Sequence, residues 1–455
     1  MPRDIAGAHA AGPGRAALVS DPVVPTLLRS TAPLAAATLA MFAVQLAETW
    51  LTGLLGGGAL AALGFSMPVV VTAMSFGIGL GAGASAVVGR ALGAEEQGVA
   101  TLCRHVLWLA AGLGLSVAVA GWLLAGPVLG AMGAEGPERT QALAYLRCWF
   151  PGAVPLLAGM AALSLLRAAG DTRFQGAALA GAAALAFLLD WPLAFGVPGV
   201  VPGLGLAGLG VAASLAWSAM LVVALWRLRR LGMLGAGGGG GFAGAARRVM
   251  RVGVPAAATN AIIPLATGLF TAMMAAHGTA AVAGFAVGSR VETLCMTAFF
   301  ALSAIANPFA AQNLGAGRMD RVRTGMRASL IFCAGLGLAL AVALWLFAGW
   351  LAHALSPDAE VAASAALYLT IMPWGFGAVG AIAVVNAAFN GLERPFAAVA
   401  VSLARTLALG VPAAWLGGHL AGEAGTLAGI LAANLLVGAA AGVAILRGTR
   451  AIPPG

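Results

Sequence analysis

The sequence contains no lysine and few charged residues of any kind. Only 9% of its 455 positions are charged, against about 25% in a typical soluble domain. The four cysteines are scattered without a CxxC pair, which excludes a disulfide framework and a cysteine-based zinc site. No P-loop, HExxH or GxSxG pattern occurs, so the sequence predicts no enzyme, no catalytic residue, no cofactor and no bound metal.

Apolar residues dominate the composition instead. They make up 61% of the chain, and the mean hydropathy is +0.97. A helix needs about 20 apolar residues to cross a bilayer, and such runs recur from residue 31 onward without the period-two alternation of barrel strands. The sequence therefore predicts an all-α integral membrane protein with twelve transmembrane helices. The predicted spans are 31–53, 59–84, 103–126, 143–166, 174–196, 203–226, 252–276, 279–306, 326–350, 364–389, 396–418 and 424–446.

The arginines indicate which ends of the spans face the cytoplasm. All 24 basic residues are arginine, and most fall in alternate loops and in the terminal segments when the N-terminus is placed inside. The positive-inside rule therefore predicts cytoplasmic N- and C-termini and an even number of spans. Because the arginines are spread over many short loops, the net charge of +9 indicates orientation in the membrane and no nucleic-acid partner.

The two halves of the chain repeat each other. The stretch LAYLRCWFPG at 143–152 matches ALYLTIMPWG at 366–375, an offset of 223 residues. Likewise, GGALAALGF at 57–65 matches GTAAVAGFA at 278–286, an offset of 221 residues. A repeat of this length within a membrane protein predicts two pseudo-symmetric six-helix bundles.

The repeat also predicts the domain organisation. It gives an N-terminal tail over 1–30, a first bundle over 31–228, a Gly/Arg-rich linker over 229–251, a second bundle over 252–446 and a C-terminal tail over 447–455. Both tails and the linker are expected in the cytoplasm. The glycine run in the linker behaves as a flexible tether, so the two bundles are expected to rock against each other, as alternating access requires.

Several motifs carry a resemblance to a known family. They are ETWLTGLLG at 48–56, GLGAGASAVVGRALGAEEQGVA at 79–100, LLRAAGDTR at 165–173 and LLDWPLAFG at 188–196. In these motifs the chain resembles the multidrug and toxic compound extrusion (MATE) family, and it looks closest to the DNA-damage-inducible-like branch. The resemblance covers residues 30–446. It implies a secondary antiporter of the bacterial inner membrane that exports organic compounds, commonly lipophilic cations, in exchange for protons or sodium ions. We expect a monomer whose partners are a small organic substrate, protons and the lipid bilayer.

Two carboxylates interrupt the apolar runs of the first half. Glu48 lies in the first predicted span and Asp190 in the fifth, about 26 and 24 Å from the cytoplasmic end at 1.5 Å per residue. A carboxylate in hydrocarbon costs about 2.5 to 3.5 kcal/mol on insertion scales, so each needs a partner or a function. By the resemblance, both positions match acids that couple transport to a cation. The alternative interpretation is that Glu48 reaches the outer interface and Asp190 caps a helix break before Pro192.

Departures from the family pattern favour protons over sodium. The first-helix acid is usually aspartate, whereas here it is Glu48, and the residue four before the fifth-helix acid, often asparagine, is Ala186. Spans seven and ten carry no carboxylate. Pro33 precedes Glu48 by fifteen residues, and the resemblance implies that such a proline lets helix one bend. A proline tolerated in the first helical turn is the alternative.

The second half carries a different set of charges within its spans, namely Arg290, Glu292 and Arg405. Arg290 and Glu292 are two residues apart and do not share a helix face. Glu292 is therefore expected to form a structural ion pair with Arg405, or else to line the substrate cavity. The alternative function is a lipid-linked oligosaccharide flippase. Its anionic substrate favours a cavity with several arginines, and only Arg290 and Arg405 lie within spans.

Overall fold

The computed structural model describes residues 17–197, 199, 202–235 and 240–449, and these residues form helices without any β-strand. After a short helical turn at Ala17–Ser20, ten long apolar helices follow one another. They are α1 (Val23–Leu54), α2 (Gly57–Gly93), α3 (Val99–Ala131), α4 (Gly136–Ala168), α5 (Thr172–Phe195), α6 (Leu206–Arg230), α7 (Phe242–Ala275), α8 (Thr279–Gly315), α9 (Met319–Leu355) and α10 (Ala359–Gly391).

The last two spans form one nearly continuous helical run, Pro395–Gly448. Ala421 and Gly422 have non-helical backbone angles, with φ +61° and ψ −141° at Gly422. This break separates α11 (395–420) from α12 (423–448). The prediction of an all-α membrane protein with twelve spans is therefore confirmed for the described part of the chain.

Gly422→Ala is expected to destabilise the α11–α12 connection. The backbone angles of Gly422 lie in a region that only glycine adopts readily, and a side chain there costs about 1 to 3 kcal/mol. We expect a lower thermal midpoint for the detergent-solubilised protein. Gly244→Ala in α7 is the matched control, since a methyl group there meets nothing within 4 Å. Equal midpoints for the two variants would show that the connection is not strained.

The chain divides into two compact units, and the division cuts through two helices. The N-terminal unit contains Ala36–Val254, and the C-terminal unit contains Pro22–Ala35 together with the chain from Pro255 onward. The first residues of α1 therefore belong to the C-terminal unit, whereas the first residues of α7 belong to the N-terminal unit. Each of these two helices has a proline near the point of division, Pro33 in α1 and Pro255 in α7.

The helices extend into segments that the sequence predicted as tail and linker. Helix α1 begins at Val23, not at residue 31, and α7 begins at Phe242, ten residues before the predicted span. The stretch FAGAARRVMR consists mainly of good helix formers, and Ala245 and Val249 are buried in the N-terminal unit. Burial and propensity together explain why this stretch is helical, while the assignment of domain boundaries stays a prediction. Three stretches of the predicted tails and linker, 1–16, 236–239 and 450–455, lie outside the described residues.

Close backbone packing fixes the start of α7 against α2. A Cβ atom added to Gly83 would overlap the Val249 carbonyl oxygen and lie 3.0 Å from the Gly253 nitrogen. A Cβ atom added to Gly253 would lie 3.1 Å from the Gly79 carbonyl oxygen. Small residues allow such an approach between membrane helices, where van der Waals contact drives association.

Two repeat-related helices carry a break in the same place. Helix α4 contains a 3₁₀ turn at Phe150–Gly152, and α10 contains one at Met372–Gly375. Each turn includes a proline, which removes a backbone donor from the helical ladder. Helix α4 is the most buried span of the N-terminal unit, and α10 is among the most buried of the C-terminal unit. Each of these helices carries one tyrosine, and both tyrosines belong to the candidate sites.

Candidate functional site

The structure brings the two acids of the N-terminal unit together. Glu48 lies on α1 and Asp190 on α5, and the two carboxyl groups are close enough to interact electrostatically. Helix α1 continues to Leu54, and α5 continues through Pro192 to Phe195. Asp190 therefore does not cap a helix break, and that part of the alternative interpretation is wrong, whereas the placement of Glu48 at the outer interface is not tested. The assignment of cation coupling to Glu48 and Asp190 stays a prediction.

Asp190 lies in a setting that leaves part of its carboxyl group unpaired. The residue is 2% exposed, and Asp190 Oδ2 has no hydrogen-bond partner among the described residues. One turn earlier, Ala186 offers no donor where an amide would be within reach. A buried carboxylate needs hydrogen bonds or a compensating charge. A transported proton or cation can supply what the protein leaves out at this position.

Tyr145 is the residue of this site that the sequence interpretation missed. It lies on α4, is 7% exposed and interacts electrostatically with both Glu48 and Asp190. A signal was present in the sequence, because the chain has only two tyrosines and they occupy matching positions of the repeat, 145 and 368. A phenol is a hydrogen-bond donor and acceptor, so Tyr145 can hydrogen-bond a carboxyl group in either protonation state.

Pro33 lies ten residues inside α1 and is not in its first turn. The interpretation of Pro33 as a tolerated first-turn proline is therefore wrong. It depended on a helix that began at residue 31. An interior proline removes one backbone hydrogen bond and favours a kink at that point. Bending of α1 at Pro33 stays a prediction.

The C-terminal unit has an acid site of different composition. Tyr368 on α10 donates a hydrogen bond from its hydroxyl group to Glu292 Oε2 on α8. Tyr368 is 2% exposed and packs edge-on against Phe285, with the ring centroids 5.4 Å apart. The hydrogen-bond partner of Glu292 is thus a tyrosine, which the sequence interpretation did not single out.

Arg405 lies near Glu292, whereas Arg290 does not join them. Glu292 and Arg405 interact electrostatically, although no ion pair within 4.0 Å joins them among the described residues. Arg405 belongs to a π-helical turn, Ala404–Gly410, inside α11, and such turns are frequent at functional sites. The Arg290 side chain is exposed. The predicted ion pair is therefore a longer-range attraction in this structure, and its role stays a prediction.

The two sites differ in charge balance. In the N-terminal unit, two acids and a tyrosine interact, and the charged group that acts on Asp190 is Glu48. In the C-terminal unit, one acid lies between a tyrosine and an arginine. Across the described ranges, no three His, Cys, Asp or Glu side chains come together as a metal site. The N-terminal site can take up positive charge, whereas the C-terminal site already holds both signs.

The chain is similar to known membrane proteins over most of its length. The family model MatE matches residues 33–192 and 255–416, which lie in the two halves of the repeat. A "FAD transporter" of Shewanella oneidensis is 31% identical over 430 residues, covering 94% of this chain and 95% of the relative. A "Probable multidrug resistance protein NorM" of Pseudomonas aeruginosa is 30% identical over 419 residues, covering 87% of this chain and 83% of the relative.

Solved structures match over the same length. The crystal structure of the Vibrio cholerae MATE transporter VcmN in the bent form superposes with a TM-score of 0.89 at 27% sequence identity. The match covers 94% of this chain and 97% of that structure. The helix order described above is therefore that of solved transporters over nearly their whole length.

Proposed function

The chain belongs to the MatE family of membrane transporters, and from that premise we propose that it exports lipophilic, mainly cationic organic compounds in exchange for protons. It is a multi-pass membrane protein and a transporter, not an enzyme. The proposal adds the coupling ion, the substrate class and the orientation. We place the protein in the bacterial inner membrane with both termini in the cytoplasm, as the arginine distribution favours.

The observation that supports proton coupling is the acid pair of the N-terminal unit. Asp190 is buried with an unpartnered carboxyl oxygen, and it interacts with Glu48 and Tyr145. Two like charges in a medium of low dielectric repel each other strongly. Uptake of one proton removes that repulsion, and its release restores it. The pair therefore converts a proton-binding event into a change in the force between α1 and α5.

The proposed cycle uses this change. Protons that enter from the outside neutralise Asp190 and Glu48, α1 and α5 then repack, and α1 bends at Pro33, where its backbone ladder lacks one hydrogen bond. The substrate is released to the outside in this state. Loss of the protons to the cytoplasm restores the charges and resets the transporter for the next substrate.

Sodium is the less favoured coupling ion. A sodium site needs several oxygen ligands, and Ala186 lies where an amide ligand would be one turn from Asp190. Apart from Glu360 in the first turn of α10, helices α7 and α10 contribute no carboxylate, since there is no Asp or Glu at 252–275 or at 361–391. The donor set around Asp190 suits a proton, which needs only one oxygen.

The test is transport with the two ion gradients imposed separately. Inside-out membrane vesicles with an acidic lumen are expected to accumulate the fluorescent cation ethidium, and a protonophore is expected to abolish the accumulation. A sodium gradient of the same direction at equal pH on both sides is expected to drive no accumulation above vesicles that lack the protein. Accumulation driven by sodium alone would refute proton coupling, and none under either gradient would refute the proposed antiport.

A second candidate substrate is a flavin dinucleotide. The observation that favours it is the 31% identity to a "FAD transporter" over 94% of this chain, together with an arginine, Arg405, inside an apolar helix. FAD carries phosphate groups, which suit a guanidinium group and not a carboxylate. Accumulation of FAD in the same vesicles, measured by flavin fluorescence of the lumen, tests this candidate independently of ethidium.

A further inference from the structure

The premise of this inference is the proposed transport function. We propose that Arg405, with Glu292 and Tyr368, forms a subsite in the C-terminal unit that binds a phosphate group of an anionic substrate. Arg405 is the binding group. Glu292 attracts its guanidinium group while the subsite is empty, and Tyr368 holds Glu292 when Arg405 turns to the substrate.

The guanidinium group of Arg405 has N–H groups that are free to donate hydrogen bonds. A guanidinium group carries five N–H donors, and the side chain of Arg405 makes no hydrogen bond within the described ranges of the chain. Glu292 is the charged group that acts on Arg405, at a separation beyond ion-pair contact. A cationic side chain inside a membrane helix is unfavourable unless it has a role. Binding an anion is a role that uses both the charge and the free donors.

Glu292, by contrast, already has its own partner. It accepts the hydrogen bond from Tyr368, and Tyr368 is fixed by packing on two sides. Its ring contacts Phe285 edge-on, and a Cβ atom at Gly288 would overlap the same ring. Tyr368 therefore stays on Glu292 whether or not Arg405 is close. When Arg405 moves toward a substrate, the Glu292 carboxylate therefore keeps its hydrogen bond from Tyr368.

The helix around Arg405 is built differently from its neighbours. Residues Ala404–Gly410 form a π-helical turn, in which the backbone ladder is wider than in an α-helix. A Cβ atom at Gly410 would lie 3.3 Å from the Phe270 ring, so this turn packs closely against α7 at its far end. Arg405 is the second residue of the turn, so its backbone belongs to the π-helical segment and not to the regular helix that precedes it.

Phosphate is the group that fits these residues best. A guanidinium group binds phosphate through two parallel N–H···O bonds. An organic cation would be repelled by Arg405 and would compete with it for a carboxylate that is already hydrogen-bonded. The 31% identical relative is named for FAD, a molecule with two phosphate groups. The subsite therefore takes a phosphate-bearing organic anion as a second class of substrate, beside the organic cations of the proposed antiport.

Three flavins test the effect of the phosphate groups separately from that of the ring system. Riboflavin, FMN and FAD share one ring system but carry none, one and two phosphate groups. Inside-out vesicles with an acidic lumen contain the wild type, Arg405→Gln, Arg405→Lys or Arg447→Gln, with equal protein by immunoblot. Arg447 is exposed at the end of α12, so Arg447→Gln controls for loss of any arginine from this unit.

The expected result is a loss confined to the phosphate-bearing flavins. Arg405→Gln is expected to lower the initial rates for FAD and FMN by about tenfold or more, as for loss of a charge-assisted hydrogen bond. Its riboflavin and ethidium rates are expected to stay within about twofold, which is small on that scale. Arg405→Lys is expected to recover part of the FAD rate, because the charge is kept but the planar fork is lost. Arg447→Gln is expected to behave as the wild type.

Other outcomes would overturn the subsite. An equal loss for riboflavin and FAD would show that Arg405 is structural, and unchanged FAD transport by Arg405→Gln would show that it binds no phosphate. Ethidium transport by a wild type that moves neither FAD nor FMN would refute the subsite while leaving the antiport intact. If no substrate moves under either ion gradient, the proposed function itself fails.

Discussion

Asp190→Asn is expected to abolish proton-driven efflux. Asparagine keeps the shape of the side chain but neither takes up nor releases a proton, and the residue is 2% exposed with one unpartnered oxygen. Groups that transfer protons in a working cycle contribute about a hundredfold or more to its rate. We expect at least that loss in the initial rate of ethidium accumulation in vesicles with an acidic lumen. The same preparation supplies the thermal midpoint, which is expected to stay near that of the wild type.

Glu48→Gln is expected to reduce transport less than Asp190→Asn does. Glu48 interacts with Asp190 and is more exposed than Asp190. Glu48→Gln is expected to lower the rate about tenfold, because Asp190 can still cycle a proton without its neighbour. Residues that act as one unit give non-additive losses. The double variant Glu48→Gln, Asp190→Asn is therefore expected to be no slower than Asp190→Asn alone.

The matched control removes a carboxylate elsewhere. Asp320 lies in the first turn of α9, its side chain is 72% exposed and it pairs with the exposed Arg318. Asp320→Asn makes the same chemical change outside the apolar part of the fold and is expected to leave the rate unchanged. Undiminished proton-driven efflux in the double variant, at normal expression, would refute the assignment of coupling to Glu48 and Asp190.

Hydropathy was sufficient to predict most of the fold. Apolar length identifies a membrane helix because an unpaired backbone group in lipid is so unfavourable that the chain must be helical there. The run Pro395–Gly448 shows the strength of this signal, since the sequence predicted two spans that the structure separates by only Ala421 and Gly422. Helix ends were less predictable. The start of α7 at Phe242 depends on burial of Ala245 and Val249, which hydropathy along the chain does not reveal.

The candidate sites were only partly predictable for a related reason. A lone charge in an apolar run stands out, so Glu48, Asp190, Glu292 and Arg405 could all be identified from the sequence. Tyrosine carries no such signal, because its phenol group is tolerated in membrane helices. The matching repeat positions of Tyr145 and Tyr368 mark them in the sequence, but the acids beside them follow only from the fold. Glu292 lies 76 positions from Tyr368 along the chain, and the two acids near Tyr145 lie on other helices.

The contrast between the two sites suggests that they have different functions. The repeat places one tyrosine on the equivalent helix of each unit, but the groups around it differ. Tyr145 interacts with two acids, whereas Tyr368 binds one acid that is also attracted by Arg405. A site with excess negative charge suits proton uptake, and a site with balanced charge suits substrate recognition. The duplicated fold thus supports two different tasks with a few substitutions.

Gly83→Leu is expected to be the most destabilising substitution considered for the N-terminal unit. A Cβ atom at Gly83 would overlap the Val249 carbonyl oxygen and lie 3.0 Å from the Gly253 nitrogen, and both are backbone atoms that cannot turn aside. The contact joins α2 to the first part of α7, a stretch that the sequence predicted as linker. Overpacking of this kind costs about 3 kcal/mol at the upper end of the usual range. We expect a clearly lower thermal midpoint and less protein in the membrane.

Gly112→Leu in α3 is the matched control for this packing. It makes the same change in the same unit, at an exposed position where an added Cβ atom meets nothing within 4 Å. Leucine favours a helix over glycine by about 0.8 to 1 kcal/mol, so the control is expected to be neutral or slightly stabilised. The sign of the effect therefore separates close packing from helix propensity. If Gly83→Leu and Gly112→Leu have the same thermal midpoint, the start of α7 does not pack on α2. Residues 242–251 would then act as the linker that the sequence predicted.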